Sequence, residues 1–336
     1  MSLSAEAAIL RAPLAPVEVA RIDLDDPAAG EVLVRLEACG LCHSDLMIAG
    51  LDRLPLAPLV LGHEGIGRVE RTGPDVDRVR TGDRVGLTFL ASSCGACEYC
   101  ASGRERYCTR QVNFGYTRHG SMAQYAVAPE ASLVKVPEEL PAHVAAPLCC
   151  AGWTALSAVR KAQLSAGQTL AVYGIGGLGH LGIQYAHAAG LRVVATDVAE
   201  AKLALARQVG ADIALISAES GRRISKELGG ADAAVVFVPS PEAVAEAFRA
   251  LKRTGTLVVA GLSTRPWEMP LYEAVLKGVT FRGSYLGSRQ ELEEVFRLAV
   301  DGIGIPHIET HPLSGLPGVM ESMKLGRLTG RAVVVF

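Results

Sequence analysis

The stretch from Gln168 to Asp197, QTLAVYGIGGLGHLGIQYAHAAGLRVVATD, limits the possible folds of this 336-residue chain more than any other segment. A short apolar run leads into Gly174-x-Gly176-x-x-Gly179, and apolar residues at helical spacing follow. A second strand-like run, RVVATD, ends at Asp197, 23 residues after Gly174 (197 − 174). A glycine-rich turn between strand and helix, with an acid at this distance, predicts a βαβ unit that binds a dinucleotide.

Each glycine of this motif has a mechanical role, which is to allow a tight turn, close approach of the backbone to a pyrophosphate, or close packing of helix on strand. The expected cofactor-binding residues of the loop are Gly174, Gly176, Gly177 and Gly179. The carboxylate of Asp197 would accept hydrogen bonds from the adenosine ribose and repel a 2′-phosphate, so we expect NAD rather than NADP. The alternative role for Asp197 is a helix N-cap before EAKLALARQVG, which is compatible with the ribose contact.

Strands and helices continue to alternate after this unit. Three further strands are predicted in DIALI near 212–216, AAVVFV at 233–238 and TLVVAGL at 256–262, and PEAVAEAFRALKRTG is predicted to be helical between the last two. Such alternation predicts an α/β fold with a doubly wound parallel sheet. By contrast, residues 1–148 are rich in short strand-like runs, Gly, Pro and turns, and predict a mostly β domain.

Composition narrows the class of protein and the chemistry of its thiols. About half of the residues are apolar (49%), 20% are charged and the net charge is −2, so no basic patch points to nucleic acid. No uninterrupted apolar run approaches the ~20 residues of a membrane helix, and the N-terminal sequence lacks the pattern of a secretory signal. We therefore expect a cytoplasmic protein with no membrane partner, in which clustered cysteines bind metal rather than form disulfides.

Four of the eight cysteines lie in SCGACEYCASGRERYC, from Ser93 to Cys108. The spacing C-x2-C-x2-C-x7-C allows four thiolates to close a tetrahedron around zinc with no position left for a substrate, which predicts a structural site. An iron–sulfur cluster is the alternative, but the bacterial ferredoxin pattern has a shorter final gap followed by Pro. Four unliganded thiols are the third possibility. The predicted structural zinc ligands are Cys94, Cys97, Cys100 and Cys108.

The other cysteines lie in two distant pairs. Cys39 and Cys42 follow a strand-like run, Cys149 and Cys150 lie in APLCCAGWT, and His63 and Glu64 end an apolar run between the two pairs. One thiolate from each pair and the imidazole could form a Cys2His site with one open coordination position, as catalytic zinc requires. Taken one at a time, each of these residues is more often a buried packing residue.

Taken together, the motifs CGLCHSD, GHEGIGRV, the four-cysteine loop, CAGWT, GIGGLG and the terminal GRLTGRAVVVF resemble the zinc-dependent medium-chain alcohol dehydrogenases. The resemblance runs from about Glu6 to the C-terminus. It implies a GroES-like catalytic domain, built from 1–148 and 287–336, around a Rossmann NAD-binding domain at 149–286. Alcohol dehydrogenase is itself the standard example of a Cys2His catalytic zinc.

Carried over by motif, the resemblance implies a catalytic zinc held by Cys42, His63 and Cys150, and two zinc ions per chain. Asp45 would orient His63, and Glu64 would lie behind the metal; an ordinary buried ion pair or turn cap is the alternative for both. The implied cofactor contacts are Lys202 as a second ribose contact beside Asp197, His43 and Arg331 on the pyrophosphate, and Thr154 on the nicotinamide. Each of these has a surface or packing role as its alternative.

The resemblance also implies reversible NAD-linked oxidation of primary or simple secondary alcohols. Ser44 is the expected first proton carrier, with a helix N-cap as its alternative, and Met47 stands where many relatives have a second, histidine carrier. The implied substrate pocket includes Leu54, Leu90, Trp153 and Leu286. A polyol or aryl-alcohol dehydrogenase, and an inactive NAD-binding zinc protein, are the alternative functions, and a homodimer or homotetramer is the expected assembly. We predict no role for His119, His143, His180, His187, His307 or His311.

Overall fold

A computed structural model of the chain describes residues 3–336, which form two compact units. The first unit comprises the described residues of Met1–Cys150, with Ser288–Asp301 and Ile308–Phe336; the second comprises Ala151–Gly287 and Gly302–His307. These bounds differ slightly from the predicted ones, because residues 149 and 150 group with the first unit and residues 287 and 302–307 with the second.

The strands are, in chain order, β1 (Leu3–Leu10), β2 (Glu18–Leu24), β3 (Glu31–Gly40), β4 (Leu59–Val60), β5 (Gly65–Thr72), β6 (Arg84–Leu87), β7 (Leu90–Ser92), β8 (Val112–Asn113), β9 (Tyr125–Pro129), β10 (Val134–Lys135), β11 (Thr169–Tyr173), β12 (Arg192–Asp197), β13 (Ile213–Ile216), β14 (Ala231–Val236), β15 (Leu251–Val259), β16 (Thr280–Gly283), β17 (Ile308–Pro312) and β18 (Arg331–Val335). The α-helices are α1 (His43–Ala49), α2 (Glu98–Ala101), α3 (Ala142–Pro147), α4 (Trp153–Lys161), α5 (Gly179–Ala188), α6 (Glu200–Gln208), α7 (Ser220–Glu227), α8 (Pro241–Ala250), α9 (Leu271–Lys277), α10 (Arg289–Val300) and α11 (Leu316–Lys324).

The first unit is mostly β, as predicted from its short strand-like runs. Its main sheet has the strand order β10-β6-β5-β3-β18-β17, and β9 also pairs with β3; smaller sheets are formed by β2-β1-β4 and by β7-β8. The C-terminal strand β18 runs antiparallel to β3, with Val333 opposite Gly40. This pairing brings the last residues of the chain beside the segment that carries Cys42.

The second unit contains a six-stranded, fully parallel sheet in the order β13-β12-β11-β14-β15-β16. Numbered from β11, this is the 3-2-1-4-5-6 order of the Rossmann fold. Every residue of β11 is buried, as expected of a central parallel strand that is covered on both faces. The predicted doubly wound sheet is therefore confirmed.

Two details of this sheet differ from the sequence prediction. The predicted helix PEAVAEAFRALKRTG stops at Ala250, and Leu251 already begins β15. The sixth strand, Thr280–Gly283, is not among the predicted strands, because it has four residues, lies at the sheet edge and is mostly exposed, so it lacks a continuous apolar run.

One helical run within residues 3–336, Ala142–Lys161, has the length and apolarity of a membrane span. However, 83% of its apolar window is buried inside the fold, which is the environment of a core helix.

Candidate active site and cysteine-rich loop

Four ligand-type side chains from three separate segments converge in the first unit. One ligand atom from each of Cys42, His63, Glu64 and Cys150 lies within 4.8 Å of the others, and all four residues are buried. Cys42 is the N-cap of α1, directly after β3; His63 and Glu64 lie between β4 and β5; Cys150 lies in a π-helical turn at Leu148–Gly152. The fold thus assembles a donor set that is scattered over 108 residues of sequence (150 − 42).

The geometry of the two sulfurs fits a tetrahedral metal ion. The Sγ atoms of Cys42 and Cys150 are 4.0 Å apart. Two ligands on a tetrahedral zinc with Zn–S bonds of about 2.3 Å would be separated by about 3.8 Å. With the imidazole of His63, these sulfurs form a Cys2His set, the donor chemistry of a catalytic zinc with an open position.

Asp45 supports this donor set through contacts with the backbone and with the imidazole of His63. It is fully buried, and its two carboxylate oxygens accept backbone N–H groups, Oδ2 from Cys42 at 2.9 Å and Oδ1 from Gly62 at 3.2 Å. Oδ1 also lies 3.4 Å from Nδ1 of His63. One carboxylate therefore fixes the backbone of one ligand segment and faces Nδ1 of the imidazole of the next, which leaves Nε2 of His63 as the nitrogen available to a metal ion.

Gly62 provides the turn that presents His63. Its φ is +93°, a left-handed conformation that side-chain-bearing residues rarely adopt. A Cβ at this position would also lie 2.6 Å from the backbone nitrogen of Met122 and 3.0 Å from the sulfur of Cys39. Both the backbone angle and the close packing therefore require glycine before His63.

Glu64 forms a buried ion pair with Arg331, the first residue of β18. Gly40 makes room for it, because a Cβ there would overlap the Glu64 carboxylate. Within residues 3–336, Oε1 of Glu64 has no hydrogen-bond partner. Burial raises the pKa of Glu64 to about 7, an effect that the guanidinium of Arg331 opposes.

Within each pair of neighbouring cysteines, one lies in the core and the other in the donor set. Burial raises the pKa of both Cys39 and Cys149, which keeps these core thiols protonated. The hydrogen bond between the sulfurs of Cys42 and Cys150 lowers the pKa of Cys42 well below its ordinary value and raises that of Cys150. The pKa values of Cys42 and Cys150 move in opposite directions, so it is the 4.0 Å approach of their sulfurs that distinguishes these two cysteines from the core thiols of Cys39 and Cys149.

The first turn of α1 places the expected proton carrier beside the cluster. The hydroxyl of Ser44 lies 3.6 Å from the sulfur of Cys42. Because Cys42 is the N-cap of α1, neither Ser44 nor His43 occupies that position, which excludes the N-cap alternative for Ser44. His43 and Met47 are exposed on the same helix.

The four-cysteine loop connects β7 to β8, and its sulfurs also converge. One sulfur from each of Cys94, Cys97, Cys100 and Cys108 lies within 4.8 Å of the others, with Cys94–Cys100 at 3.9 Å and Cys97–Cys100 at 3.5 Å. Backbone N–H groups of Ala96 and Cys97 lower the pKa of Cys94 to about 5. All eight cysteines of the chain are free thiols, so none of the loop cysteines is in a disulfide. The loop therefore brings four cysteine sulfurs close enough together to be ligands of one metal ion.

In the second unit, the glycine motif connects β11 to α5 as predicted. Gly174 has a φ of +90°, and a Cβ there would collide with the side chain of Val238. A Cβ on Gly179 would overlap the carbonyl oxygen of Gly174, whereas Gly176 faces open space. The first and third glycines are thus required by turn and packing, and the second leaves room for a ligand to approach the backbone.

Asp197 is fixed at the carboxyl end of β12. Its Oδ2 accepts the N–H of Ile175 at 2.7 Å and its Oδ1 accepts that of Ala199 at 3.1 Å. The N-cap of α6 is Ala199, so the N-cap alternative for Asp197 is wrong. The carboxylate instead stabilises the glycine-rich loop, two residues before the N-cap of α6.

The remaining predicted residues are distributed over both units. Lys202 is half-buried on α6, Thr154 is buried on α4, Leu54 and Leu90 are half-buried, and Trp153 and Leu286 are buried. Sequence reasoning missed His180, which is fully buried on α5 and hydrogen-bonded at both ring nitrogens. His180 directly follows the last glycine of the motif, but its contact with His307 depends on a segment 127 residues further along the chain, which the local pattern does not indicate.

The chain matches known proteins along nearly its whole length. Residues 28–138 match the family model of the alcohol dehydrogenase GroES-like domain, and residues 177–301 match that of zinc-binding dehydrogenases. An alcohol dehydrogenase of Geobacillus stearothermophilus is 40% identical over 98% of this chain and 99% of its own length. The crystal structure of the alcohol dehydrogenase from Aeropyrum pernix superposes with a TM-score of 0.91 at 30% identity, covering 98% of this chain and 100% of that one.

A third relative is acetophenone reductase from Geotrichum candidum, solved in complex with NAD. It is 28% identical, with a TM-score of 0.88 over 99% of this chain and 97% of that one. The full-length identity to curated alcohol dehydrogenases agrees with the GroES-like and Rossmann-type units and with the assembled Cys2His donor set. The chain therefore belongs to the zinc-dependent medium-chain alcohol dehydrogenase family.

Proposed function

We propose that this protein catalyses the reversible, NAD-linked oxidation of primary or simple secondary alcohols to aldehydes or ketones. The observation that supports this most is the convergence of Cys42, His63 and Cys150, with sulfurs 4.0 Å apart, in one buried donor set. The curated relatives named alcohol dehydrogenase are similar to this chain over 95–98% of its length.

These three residues would hold the catalytic zinc. When bound, zinc supplies Lewis acidity that lowers the pKa of a hydroxyl oxygen and polarises a carbonyl, while NAD accepts or returns the hydride. Charge balance supports the assignment, because two thiolates neutralise a divalent ion and Arg331 neutralises Glu64. Asp45 keeps the imidazole oriented, so the ligand geometry persists through the reaction.

Ser44 would carry the substrate's proton away from the site. Its hydroxyl can accept a proton on one lone pair while it donates its own, and it lies beside the sulfur of Cys42. The thioether of Met47, three residues later, has no exchangeable proton. In this proposal water or the exposed His43 continues the relay from Ser44 to solvent.

NAD is the proposed cofactor, bound at Gly174, Gly176, Gly177 and Gly179. The fixed carboxylate of Asp197 supports NAD over NADP, because an anion at the end of β12 would repel a 2′-phosphate. Lys202 and Thr154 remain the proposed ribose and nicotinamide contacts, and His43 and Arg331 the pyrophosphate contacts.

A second zinc would bind Cys94, Cys97, Cys100 and Cys108. Four thiol donors fill a tetrahedron, so this ion would have no open position and would act on stability alone. The iron–sulfur alternative predicts visible absorbance and iron in the purified protein. Zinc analysis of the purified chain therefore tests this site: two zinc ions per chain are expected, and iron would refute it.

Activity measurements test the proposed reaction. Ethanol, 2-propanol, benzyl alcohol and sorbitol should each be assayed with NAD+ and with NADP+, and the corresponding carbonyls with the reduced cofactors. We expect turnover of the first three alcohols with NAD+. Benzyl alcohol is included because the name of the related acetophenone reductase points to an aryl substrate. Preference for sorbitol would favour a polyol dehydrogenase, and bound zinc and NAD without any turnover would favour an inactive protein.

We also propose a homodimer or homotetramer in the cytoplasm. Helix α9 exposes Leu271, Tyr272 and Val275 by 71–79%, and the nearby edge strand β16 exposes Phe281 by 48%. Apolar surface of this kind favours a protein partner, and a second copy is the one we propose. Light scattering of the wild type and of the double variant Tyr272→Lys/Val275→Glu tests this assembly, with a monomeric wild type as the contradicting result.

The proposed compartment is the cytoplasm, because eight free thiols are consistent with a reducing environment.

A further inference from the structure

Helix α5 begins at the glycine-rich loop and contains a histidine that the proposed chemistry does not use. His180 is fully buried in the second unit. Its Nδ1 lies 2.8 Å from the carbonyl oxygen of Gly176, and its Nε2 accepts the backbone N–H of His307 at 3.1 Å. The ring therefore connects the loop to the segment Gly302–His307, which we call the return segment.

These two contacts fix the tautomer of the ring. A backbone N–H can only donate, so Nε2 is the acceptor and the proton of the neutral ring lies on Nδ1. Nδ1–H then donates to the carbonyl of Gly176, which also accepts the backbone N–H of His180 at 3.4 Å. Two donors from one residue thus hold a single carbonyl of the loop.

Holding this carbonyl also sets the direction of the next N–H. In a trans peptide the C=O of one residue and the N–H of the following residue point in opposite directions. Since the carbonyl of Gly176 points to His180, the N–H of Gly177 points away from it, out of the turn. The backbone N–H groups at a helix N-terminus are the donors that bind phosphate, and a Cβ on Gly176 would meet only open space.

The return segment is anchored to α5 by more than His180. The amide of Gln184 exchanges two hydrogen bonds with the backbone of Ile305, both at 2.9 Å. Gly304, with a φ of +77°, packs so closely on Tyr185 that a Cβ would collide with its ring. His307 therefore presents its N–H from a fixed backbone, and the imidazole of His180 is held from the side opposite the loop.

We infer that His180 is a positioning residue for the dinucleotide: it orients the Gly176–Gly177 peptide so that the N–H of Gly177 faces the pyrophosphate. This inference rests on the proposed NAD-linked function. It assigns a binding role to a residue that never touches the cofactor, and it predicts that the loss of the Gly176 contact, not of the His307 contact, weakens dinucleotide binding.

Two amide variants separate the contacts. In His180→Asn the amide nitrogen can occupy the place of Nδ1 and keep the bond to Gly176, whereas in His180→Gln the amide reaches the place of Nε2 and keeps only the bond to His307. We expect His180→Gln to raise the Kd of NADH and of ADP-ribose by about five- to tenfold, the effect of one lost hydrogen bond. The loss should fall on KM for NAD+ rather than on kcat, and His180→Asn should restore affinity to within about twofold of the wild type.

Gln184→Leu is the matched control, because it releases the return segment from α5 without touching Gly176. It should lower the melting temperature and leave the Kd of NADH unchanged. Equal affinities of His180→Asn and His180→Gln would overturn the inference, whereas a wild type that binds no NADH would overturn the proposed function together with it. Should the Gln variant not fold, long-range 1H–15N NMR of the wild-type protein decides: an Nδ1–H tautomer is expected for His180, and an Nε2–H or doubly protonated ring would refute the mechanism.

Discussion

Replacing Asp45 by Asn should loosen the catalytic metal while keeping the shape of the side chain. Both oxygens of Asp45 accept backbone N–H groups, one from Cys42 and one from Gly62. Whichever way the amide is oriented, its NH2 group faces one of these donors, so at least one hydrogen bond is lost. Hydrogen bonds to charged groups contribute about 1.5–3 kcal/mol each.

We expect the zinc affinity to fall about 10–100-fold, equivalent to about 1.4–2.7 kcal/mol. The substitution removes a backbone hydrogen bond and also the negative charge that faces the imidazole of His63. Competition with a chelator, followed by zinc analysis, measures the affinity, and kcat/KM for the best alcohol should fall in parallel. The structural zinc should remain, so the chain would retain one ion of two.

Asp212→Asn is the control for this experiment. Asp212 also accepts a backbone N–H, from Val193 at 2.7 Å, but it lies in the second unit. This variant should lower stability and keep both zinc ions. The reasoning is refuted if Asp45→Asn retains its catalytic zinc as tightly as the wild type or if Asp212→Asn loses zinc to the same extent.

Three further substitutions test other parts of the account. Cys97→Ser should remove one zinc ion, and a loss of even about 3 kcal/mol would lower Tm by roughly 6–12 °C in a scanning calorimeter; an unchanged Tm contradicts a structural ion. Asp197→Gly should shift the NAD/NADP ratio of kcat/KM toward NADP by at least about tenfold, since it removes the repelling charge, and an unmoved ratio refutes the ribose role. Gly179→Ala should abolish NADH binding in a fluorescence titration, because its Cβ would overlap the Gly174 carbonyl, while zinc in the four-cysteine loop is retained.

Local patterns were the part of the structure that could be predicted from sequence. The strand, glycine turn and helix from Thr169 to Ala188 depend on neighbouring residues, and so does the convergence of four cysteines within 15 positions of one loop (94 to 108). The short edge strand β16 has no such pattern, since its residues are mostly exposed and its place in the sheet depends on pairing with β15.

Long-range pairing explains what the sequence did not reveal. Glu64 and Arg331 are 267 residues apart, and only the pairing of β18 with β3 brings them together. Cys149 and Cys150 are chemically identical neighbours; the resemblance implied Cys150, and the structure supplies the physical reason, because the backbone of one helical turn directs that sulfur to Cys42. The role of His180 depends likewise on the return segment, 127 positions further along the chain.

The most direct measurement of the central claim is zinc content and alcohol-dependent NAD+ reduction in the wild type and in Cys150→Ser. We predict two zinc ions and turnover in the wild type. The variant should remain folded, bind NADH and keep the zinc of the four-cysteine loop, with little turnover. A Cys150→Ser protein that oxidises alcohols at the wild-type rate would contradict the assignment of Cys42, His63 and Cys150 to one catalytic metal.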